Sequence, residues 1–150
     1  MNDQSVENMW STYKKDNPSI GDDYAAWPFG DSEKMADELS ELVVKGIKTA
    51  TASAYDLYED DNALPYPGLL NVIVDGKGEA VAIIETTDVK VVYFEDVTAE
   101  FAYLEGEGDR SLEYWREVHR DYFIKELGSV DLPFTEKMGV VLETFKVVYK

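Results

Sequence analysis

The sequence predicts an α+β fold in which helices flank a mostly antiparallel sheet or small β-barrel. First, helical stripes and strand-like runs follow one another without the strict alternation that a parallel sheet requires. Second, two strand-like runs are joined by the hairpin signal Asp75-Gly76-Lys77-Gly78. Third, the 150 residues contain no linker or internal repeat and suit one domain. We therefore assign residues 1–150 to a single domain, with residues 1–20 as an N-terminal helical extension.

The first part of the chain predicts two helices with an aromatic loop between them. The first helix stops before Pro18, and the second is capped by Asp31 or Ser32 and ends at Gly46. The loop covers residues 24–29. Each helix has one apolar face that can pack on a sheet. These faces consist of Val6, Met9, Trp10 and Tyr13 in the first helix and of Met35, Ala36, Leu39, Leu42 and Val43 in the second.

Three segments in the middle of the chain predict strands. Residues 49–55 alternate small and hydroxylated side chains, and an acidic loop over residues 56–62 follows them. Residues 69–74 form the second segment. Residues 80–94 are rich in β-branched side chains and form either one bent strand or two strands. The hairpin signal lies between the last two segments, so we expect them to pair antiparallel.

The last third of the chain predicts a short helix, a long helix and a final strand. The short helix covers residues 98–104, and residues 105–109 form an acidic, glycine-containing loop. Ser111 caps the longest helix. The final strand covers residues 140–149. The predicted apolar stripe of the long helix consists of Leu112, Trp115, Val118, Tyr122 and Leu127, and the helix ends at Gly128.

Composition excludes several functional classes. The formal net charge is −17, from 31 acidic and 14 basic residues, and such a field repels a phosphate backbone. Extended, sequence-blind nucleic-acid binding is therefore disfavoured, although a local basic cleft stays open. The chain has no cysteine, which excludes disulfides, thiolate metal sites and thiol nucleophiles. No apolar run approaches the roughly 20 residues of a membrane helix, and we expect a cytoplasmic protein.

The first candidate site is the segment Gly46-Ile47-Lys48-Thr49-Ala50-Thr51, where a helix turns into a strand. A lysine in a partly dry pocket loses its charge more easily and can then act as a base. It could take the proton that makes the Thr51 hydroxyl a nucleophile. Residues three apart on a regular strand point to opposite faces, so Lys48 and Thr51 converge only if the turn breaks the alternation. The alternative is a solvated lysine beside two strand threonines.

The acidic loop is the second candidate. Glu105, Glu107 and Asp109 can orient a lysine or accept hydrogen bonds from a base or sugar. The spacing is not that of a calcium loop, because Arg110 stands where such a loop has glycine. Asp109 can instead stabilise the helix start. His119 is the only histidine and is expected at the edge of the core or on the surface. No metal and no cofactor are predicted.

Two aromatic residues and one arginine complete the candidates for substrate binding. Trp27 and Tyr55 border the Lys48 segment in sequence, and aromatic rings of this kind stack on nucleobases. Arg116 lies one residue off the apolar stripe of the long helix and can face a cleft near the acidic loop. The alternative for Arg116 is a surface ion pair with Glu113 or Glu117.

Three motifs occur in order along the chain. They are Gly46-Ile47-Lys48-Thr49-Ala50-Thr51, then Glu105-Gly106-Glu107-Gly108-Asp109-x-Ser111-Leu112-x-x-Trp115-Arg116, and finally Met138-Gly139-Val140-Val141-Leu142-Glu143-x-Phe145. In this combination the chain resembles the ASCH family, named for activating signal cointegrator homology, from about Trp27 to Val148. The resemblance implies a small, mostly antiparallel PUA-like β-barrel with flanking helices and a cleft for RNA or nucleosides.

The resemblance also implies an activity and its residues. Some small ASCH proteins hydrolyse the acetyl amide of N4-acetylcytidine by means of a lysine, a threonine three residues later and a downstream glutamate. Lys48 and Thr51 match the first two, and Glu107, or alternatively Glu105, matches the third. In this scheme Lys48 takes the Thr51 proton, Thr51 attacks the carbonyl and the glutamate positions Lys48.

Two other functions remain open. Other ASCH proteins have been described as ribonucleases, so the chain could be an RNA-binding module or weak ribonuclease. That function predicts a basic strip beside the cleft, from Lys45, Lys48, Lys90 and Arg116. The third possibility is a non-catalytic domain that binds a small ligand or a protein.

Overall fold

The computed structural model describes residues 3–150 as four α-helices and five strands, with three single-turn 3-10 helices in the connections, which confirms the predicted α+β class. The first two residues of the predicted N-terminal extension lie outside this range. In chain order the elements are α1 (Asp3–Asp16), β1 (Ala25–Pro28), α2 (Glu33–Val44), β2 (Ala50–Ala54), β3 (Leu70–Val74), β4 (Ala80–Tyr93), α3 (Ala99–Glu105), α4 (Leu112–Gly128) and β5 (Gly139–Tyr149).

The five strands form one curled, half-barrel sheet in the order β1-β3-β4-β5-β2. Every neighbouring pair is antiparallel except β1 and β3, which run parallel. The pairing of β4 with β5 shifts register between Ile83 and Ile84 and again between Thr86 and Asp88. Such irregularities bend a strand and increase its twist, so residues 80–93 form one bent strand that curls the sheet.

Two local predictions were wrong. Residues 24–29 are not entirely loop, because β1 pairs with β3 from Ala25↔Asn71 to Pro28↔Val74. A four-residue edge strand has no periodicity to detect, and it is held by hydrogen bonds to a distant partner. The acidic loop was predicted over residues 105–109 but begins one residue later, at Gly106. Glu105 is the last residue of α3, and Gly106 caps the helix in the left-handed region.

The apolar stripe of α4 also differs from the prediction. Its buried residues are Trp115, His119, Phe123 and Leu127, spaced four apart, whereas Val118 and Tyr122 are only half-buried. The reason is that α4 packs its buried face against α3 and the sheet, while the adjacent face borders a cavity. His119 is buried on α4 and also lines the cavity, so of its two expected places it takes the edge of the core rather than the surface.

The core consists of three clusters around the sheet. One joins α3 and α4 to β2 and β5 around Phe94 and Trp115. A second lies where α1 covers β3 and β4, and there Trp10 stacks on Tyr24 with ring centroids 4.3 Å apart. The third lies beneath α2 and includes Phe145. Helix α1, which lies in the predicted N-terminal helical extension, packs on the sheet. No helix between residues 3 and 150 has the length and apolar character needed to cross a lipid bilayer.

Candidate active site

A cavity of about 590 Å³ lies on the inner face of the half-barrel, between the sheet and helices α2 and α4. Five of the residues predicted for the site line it. They are Trp27, Lys48, Thr51, Glu105 and Glu107. The wall is completed by apolar and aromatic side chains from β1, α2 and α4, and by hydroxyl groups from β2 and the turn that follows it. Among these are Phe29, Leu39, Ser53, Tyr58 and Tyr122.

The end of α2 aims Lys48 into this cavity. Gly46 has a φ of 77°, a left-handed conformation that glycine adopts without strain. The backbone N–H groups of Ile47 and Lys48 then both donate to the Leu42 carbonyl, at 2.9 and 3.1 Å. Lys48 precedes Ala50, the first residue of β2, so strand alternation does not govern its direction. The turn therefore brings Lys48 and Thr51 to the same cavity, as their pairing requires.

Lys48 is a buried ammonium with three close acceptors and a fourth, the Glu105 carbonyl oxygen, at 3.5 Å. Its Nζ donates to Glu105 Oε1 at 2.9 Å, to Glu107 Oε2 at 2.8 Å and to the Ala50 carbonyl at 2.9 Å. Burial alone would lower the pKa of Lys48, but the two carboxylates outweigh it and raise the pKa. The expectation that a dry pocket would deprotonate Lys48 is therefore wrong, because its partners are negatively charged.

Glu105 anchors this arrangement to the core. Its Oε2 accepts a hydrogen bond of 2.5 Å from Trp115 Nε1 and lies 3.4 Å from His119 Nε2. Burial would raise the pKa of Glu105, but Lys48 and then His119 and Trp115 oppose this effect and lower it. Glu107 is the more accessible of the two, with 14% of its side chain exposed against 2% for Glu105.

The glycine between the two glutamates makes their convergence possible. Gly106 has a φ of 75°, and a Cβ atom there would lie 2.6 Å from the Ile47 carbonyl oxygen. The loop after α3 therefore approaches the turn before β2 closely, and two carboxylates two residues apart reach the same ammonium. The motif Glu-Gly-Glu and the motif Gly-x-Lys-Thr are parts of one site.

Sequence reasoning missed Glu143 as a site residue. Its side chain lines the cavity from β5, where it lies directly opposite Thr51 in the β2–β5 ladder, and only 7% of the residue is exposed. Thr86 Oγ1 donates to Glu143 Oε2 at 2.5 Å. Burial raises the pKa of Glu143, although the hydrogen bond from Thr86 opposes the shift. An acidic residue within the apolar run of residues 140–145 was the signal that could have revealed it.

A second missed feature is a pair of hydroxyl groups beside Thr51. Ser53 Oγ and Tyr58 Oη are 2.7 Å apart, and both residues line the cavity. Burial raises the pKa of Tyr58, while its hydrogen bond with Ser53 opposes this, so Tyr58 keeps its proton at neutral pH. One of the two hydroxyl protons forms the hydrogen bond between Ser53 and Tyr58, and the other can be donated to a polar atom of a ligand.

Three residues expected to bind substrate lie away from the cavity wall, which corrects their predicted location. Tyr55 Oη donates to Asp61 at 2.6 Å on the surface. Asp109 Oδ1 accepts from the Ser111 N–H at 2.9 Å, where it supports the start of α4. Arg116 Nη2 donates to a backbone carbonyl, that of Glu95, at 3.2 Å. None of the three side chains is part of the cavity wall.

The charge of the cavity is negative. Its wall carries five carboxylates and two lysines, and one of the lysines is the ion-paired Lys48. The basic strip expected for an RNA-binding cleft is not formed there, because Lys45, Lys90 and Arg116 do not line this cavity. Lys45 instead pairs with Glu41 on the outer face of α2, with 2.8 Å between Nζ and Oε1. The carboxylates are Asp31, Glu105, Glu107, Asp121 and Glu143.

Three side chains could offer ligands to a metal ion. Glu105, Glu107 and His119 each have a ligand atom within 4.8 Å of the others. Both carboxylates already bind the Lys48 ammonium, however, so a divalent cation would have to displace that charge. We therefore treat the group as the environment of Lys48.

The chain is similar in sequence and structure to proteins of one known family. A family model described as ASCH domain matches residues 25–149. The crystal structure of an ASCH domain from Lactobacillus crispatus JV V101 is 32% identical, with a TM-score of 0.89 over 98% of this chain and 96% of that one. The crystal structure of a protein from Enterococcus faecalis V583 is 36% identical, with a TM-score of 0.88 over 97% and 94%. No match was found among curated protein sequences.

Proposed function

The chain belongs to the ASCH domain family, and on that premise we propose that it is an amidohydrolase acting on an acylated pyrimidine nucleoside such as N4-acetylcytidine. The family supports a domain that handles RNA or nucleosides. One observation supports the narrower proposal: the Thr51 hydroxyl, the Lys48 ammonium and the Glu107 carboxylate share the wall of one cavity. These are the groups that acyl transfer to a threonine needs as nucleophile, electrostatic partner and positioning group.

The dimensions and charge of the cavity favour a nucleoside over RNA. A volume of about 590 Å³ is typical of a site for one small molecule. Trp27 and Phe29 line it, and their rings meet edge to face at 4.8 Å, so a base can stack against an aromatic wall. The excess of carboxylates repels phosphate groups but leaves a neutral nucleoside unaffected.

In the proposed reaction Thr51 Oγ1 attacks the acyl carbon and the carbonyl electron pair moves onto its oxygen. The positive charge of Lys48 attracts that oxygen through space, because its three N–H groups already donate to Glu105, Glu107 and the Ala50 carbonyl. Glu107 holds Lys48 in place. Expulsion of the cytosine amino group leaves an acyl-Thr51 ester, which water hydrolyses. Because Lys48 is protonated in the free protein, the proton of Thr51 requires another acceptor.

Turnover of N4-acetylcytidine to cytidine, followed by liquid chromatography, tests the proposal. The informative variant is Thr51→Val, which keeps the β-branched shape and removes only the hydroxyl. We expect it to lose activity by at least about a thousandfold, as nucleophile removal does in other acyl-transfer enzymes. Thr87→Val is the matched control, because Thr87 is exposed on β4 and its hydroxyl bonds to that of Thr144, outside the cavity.

Two outcomes would contradict the proposal. One is the absence of cytidine at high enzyme concentration, and the other is full activity in Thr51→Val. Binding of short oligonucleotides that weakens steeply with salt would then favour the RNA-binding alternative.

A further inference from the structure

The position of Glu143 relative to Thr51 follows from the pairing of β2 with β5. Thr51 and Glu143 are directly opposed in an antiparallel ladder. Side chains of such a pair lie on the same face of the sheet, with Cβ atoms about 4.5–5.5 Å apart. Both residues line the cavity, so this shared face is the one that meets a ligand. A glutamate side chain is long enough to bring its carboxylate against the threonine hydroxyl.

We propose that Glu143 is the general base that accepts the proton of the Thr51 hydroxyl. The inference rests on the proposed function in one respect, namely that Thr51 is the nucleophile. It deepens that function, because the base expected from the family resemblance was Lys48, and Lys48 holds its own proton.

Three other candidate bases on the cavity wall already have partners. Glu105 accepts from Lys48 and Trp115, and Glu107 accepts from Lys48. The His119 Nδ1 atom lies 2.9 Å from the Trp115 carbonyl, and its Nε2 faces Glu105. Glu143, by contrast, has no cationic partner among the described residues. A base must come within hydrogen-bond reach of the proton it takes, and the ladder places Glu143 and Thr51 on one face of the sheet, from which a glutamate carboxylate can reach the threonine hydroxyl.

The immediate surroundings of Glu143 orient its carboxylate. Thr86, which lies on the β4 side of β5, donates to Oε2. For Oε1 no hydrogen-bond partner is found within residues 3–150, so this oxygen is available to Thr51 on the β2 side. Burial raises the pKa of the carboxyl, and a carboxylate with a raised pKa is a stronger base at neutral pH than an ordinary one.

The proton and electron balance of the reaction closes with these groups and water. Glu143 takes the Thr51 proton while the Thr51 oxygen bonds to the acyl carbon. When the C–N bond breaks, the leaving nitrogen receives that proton from Glu143. Water then attacks the acyl-Thr51 ester and gives a proton to Glu143, and the Thr51 oxygen recovers it as the ester bond breaks. The products are the free amine and a carboxylic acid.

Acetylation of Thr51 by p-nitrophenyl acetate tests the inference independently of the natural substrate. Release of p-nitrophenolate gives the rate, and peptide mass spectrometry locates the acetyl group. We expect acetylation of Thr51 in the wild type, a decrease of at least about 100-fold in Glu143→Gln, and partial retention in Glu143→Asp. Glu85→Gln is the matched control, because Glu85 is a half-buried strand glutamate on β4 that does not line the cavity.

Loss of folding would not explain this result. Because burial raises the folded-state pKa of Glu143, its contribution to stability is present below the unfolded pKa near 4.5 and is lost as pH rises through the folded pKa. The neutral glutamine avoids the cost of a buried charge. We therefore expect Glu143→Gln to unfold at a urea concentration no lower than the wild type does at pH 7.

A pH profile separates a base from a residue with a merely structural role. The wild-type acetylation rate should rise through one ionisation above the ordinary carboxyl range, and Glu143→Gln should lack that rise. The same profile in Glu143→Asp should shift rather than disappear. Other titratable groups on the cavity wall could contribute and remain in all three proteins. They are Asp31, Lys48, Tyr58, Glu105, Glu107, His119, Asp121, Tyr122 and Lys125.

The outcomes distinguish this inference from the proposed function. Thr51 acetylation that depends on Glu143, without turnover of N4-acetylcytidine, would support the base and reject the substrate. Turnover of N4-acetylcytidine at the wild-type rate in Glu143→Gln would support the function and overturn the base. Absence of Thr51 acetylation in the wild type would overturn the inference as well.

Discussion

At the scale of single residues, position 48 is governed by a balance between desolvation and charge pairing. A buried ammonium is unfavourable by itself, and here it is stabilised by two carboxylates and a backbone carbonyl. Removing one member of a buried ion pair leaves the other charge without compensation, whereas removing both can be nearly neutral. Removing the charge of Lys48 alone should therefore destabilise the fold more than removing the charges of Lys48, Glu105 and Glu107 together.

We predict that Lys48→Met lowers the free energy of unfolding by about 3–5 kcal/mol, because Glu105 and Glu107 then lie near the core without the Lys48 ammonium. The triple variant Lys48→Met/Glu105→Gln/Glu107→Gln should recover a large part of this loss. Glutamine at position 105 keeps an oxygen for the Trp115 N–H. Urea unfolding followed by circular dichroism measures both, and equal losses in the single and triple variants would contradict the prediction.

The same variants should respond differently to pH. The folded-state pKa of Glu105 is lowered, so its contribution is present above the unfolded value near 4.5 and is lost as pH falls through the folded pKa. The pKa of Lys48 is raised, so its contribution is present below about 10.5 and is lost as pH rises through the folded pKa. The free energy of unfolding of the wild type, relative to that of the triple variant, should therefore decrease at both low and high pH.

At the scale of elements, most helices and strands were predicted from the sequence, but the pairing of distant strands was not. Helix α2 was predicted from its stripe and from a cap at Asp31 or Ser32, and it is Ser32 that accepts from the Met35 N–H. Such signals depend only on neighbouring residues, so a single sequence is enough to detect them. The strand β1 depends on hydrogen bonds to β3 and could not be read from residues 24–29.

The site shows the same division. The Lys48, Thr51 and Glu107 set was predicted because the family resemblance connected two distant motifs. Glu143 was missed, because its approach to Thr51 follows from the β2–β5 register, a pairing of residues 92 positions apart in the chain. Tyr55 was assigned to the site by nearness in sequence, Asp109 as part of the acidic loop and Arg116 by its place on the long helix. None of the three lines the cavity, and their side chains bind elsewhere.

The close approach of two loops makes Gly106 a position where an element-scale prediction can be tested. Alanine there must adopt a left-handed φ and places its Cβ 2.6 Å from the Ile47 carbonyl oxygen. Gly46 provides the matched control, because its φ is also left-handed but no atom lies within 4 Å of the added Cβ. We expect Gly46→Ala to lose about 1–2 kcal/mol from conformation alone, and Gly106→Ala to lose more.

Urea unfolding of the two variants measures this difference directly. Gly106→Ala should also reduce turnover more than Gly46→Ala, since the displaced loop carries Glu105 and Glu107 away from Lys48. Equal stability losses in the two variants would show that the loop yields to the added methyl group.

At the scale of the whole molecule, the charge of the cavity and the charge of the protein have the same sign. The formal net charge is −17, and the cavity wall itself has more carboxylates than lysines. Approach and binding of an anionic ligand are therefore both opposed, while a neutral nucleoside meets neither penalty. Among substrates that share the same acyl-pyrimidine group, a neutral one should therefore be preferred over an anionic one.

We predict that N4-acetylcytidine is hydrolysed with a higher kcat/KM than its 5′-monophosphate, by at least about tenfold at low salt, which corresponds to about 1.4 kcal/mol of repulsion. Added salt screens that repulsion, so kcat/KM for the monophosphate should rise with ionic strength while that for the nucleoside stays nearly constant. An RNA-binding protein would show the opposite sign, because its affinity falls with salt. Initial rates of both substrates between 20 and 500 mM potassium chloride measure the two slopes, and a monophosphate rate that falls with salt would indicate a cationic subsite that the negative cavity does not provide.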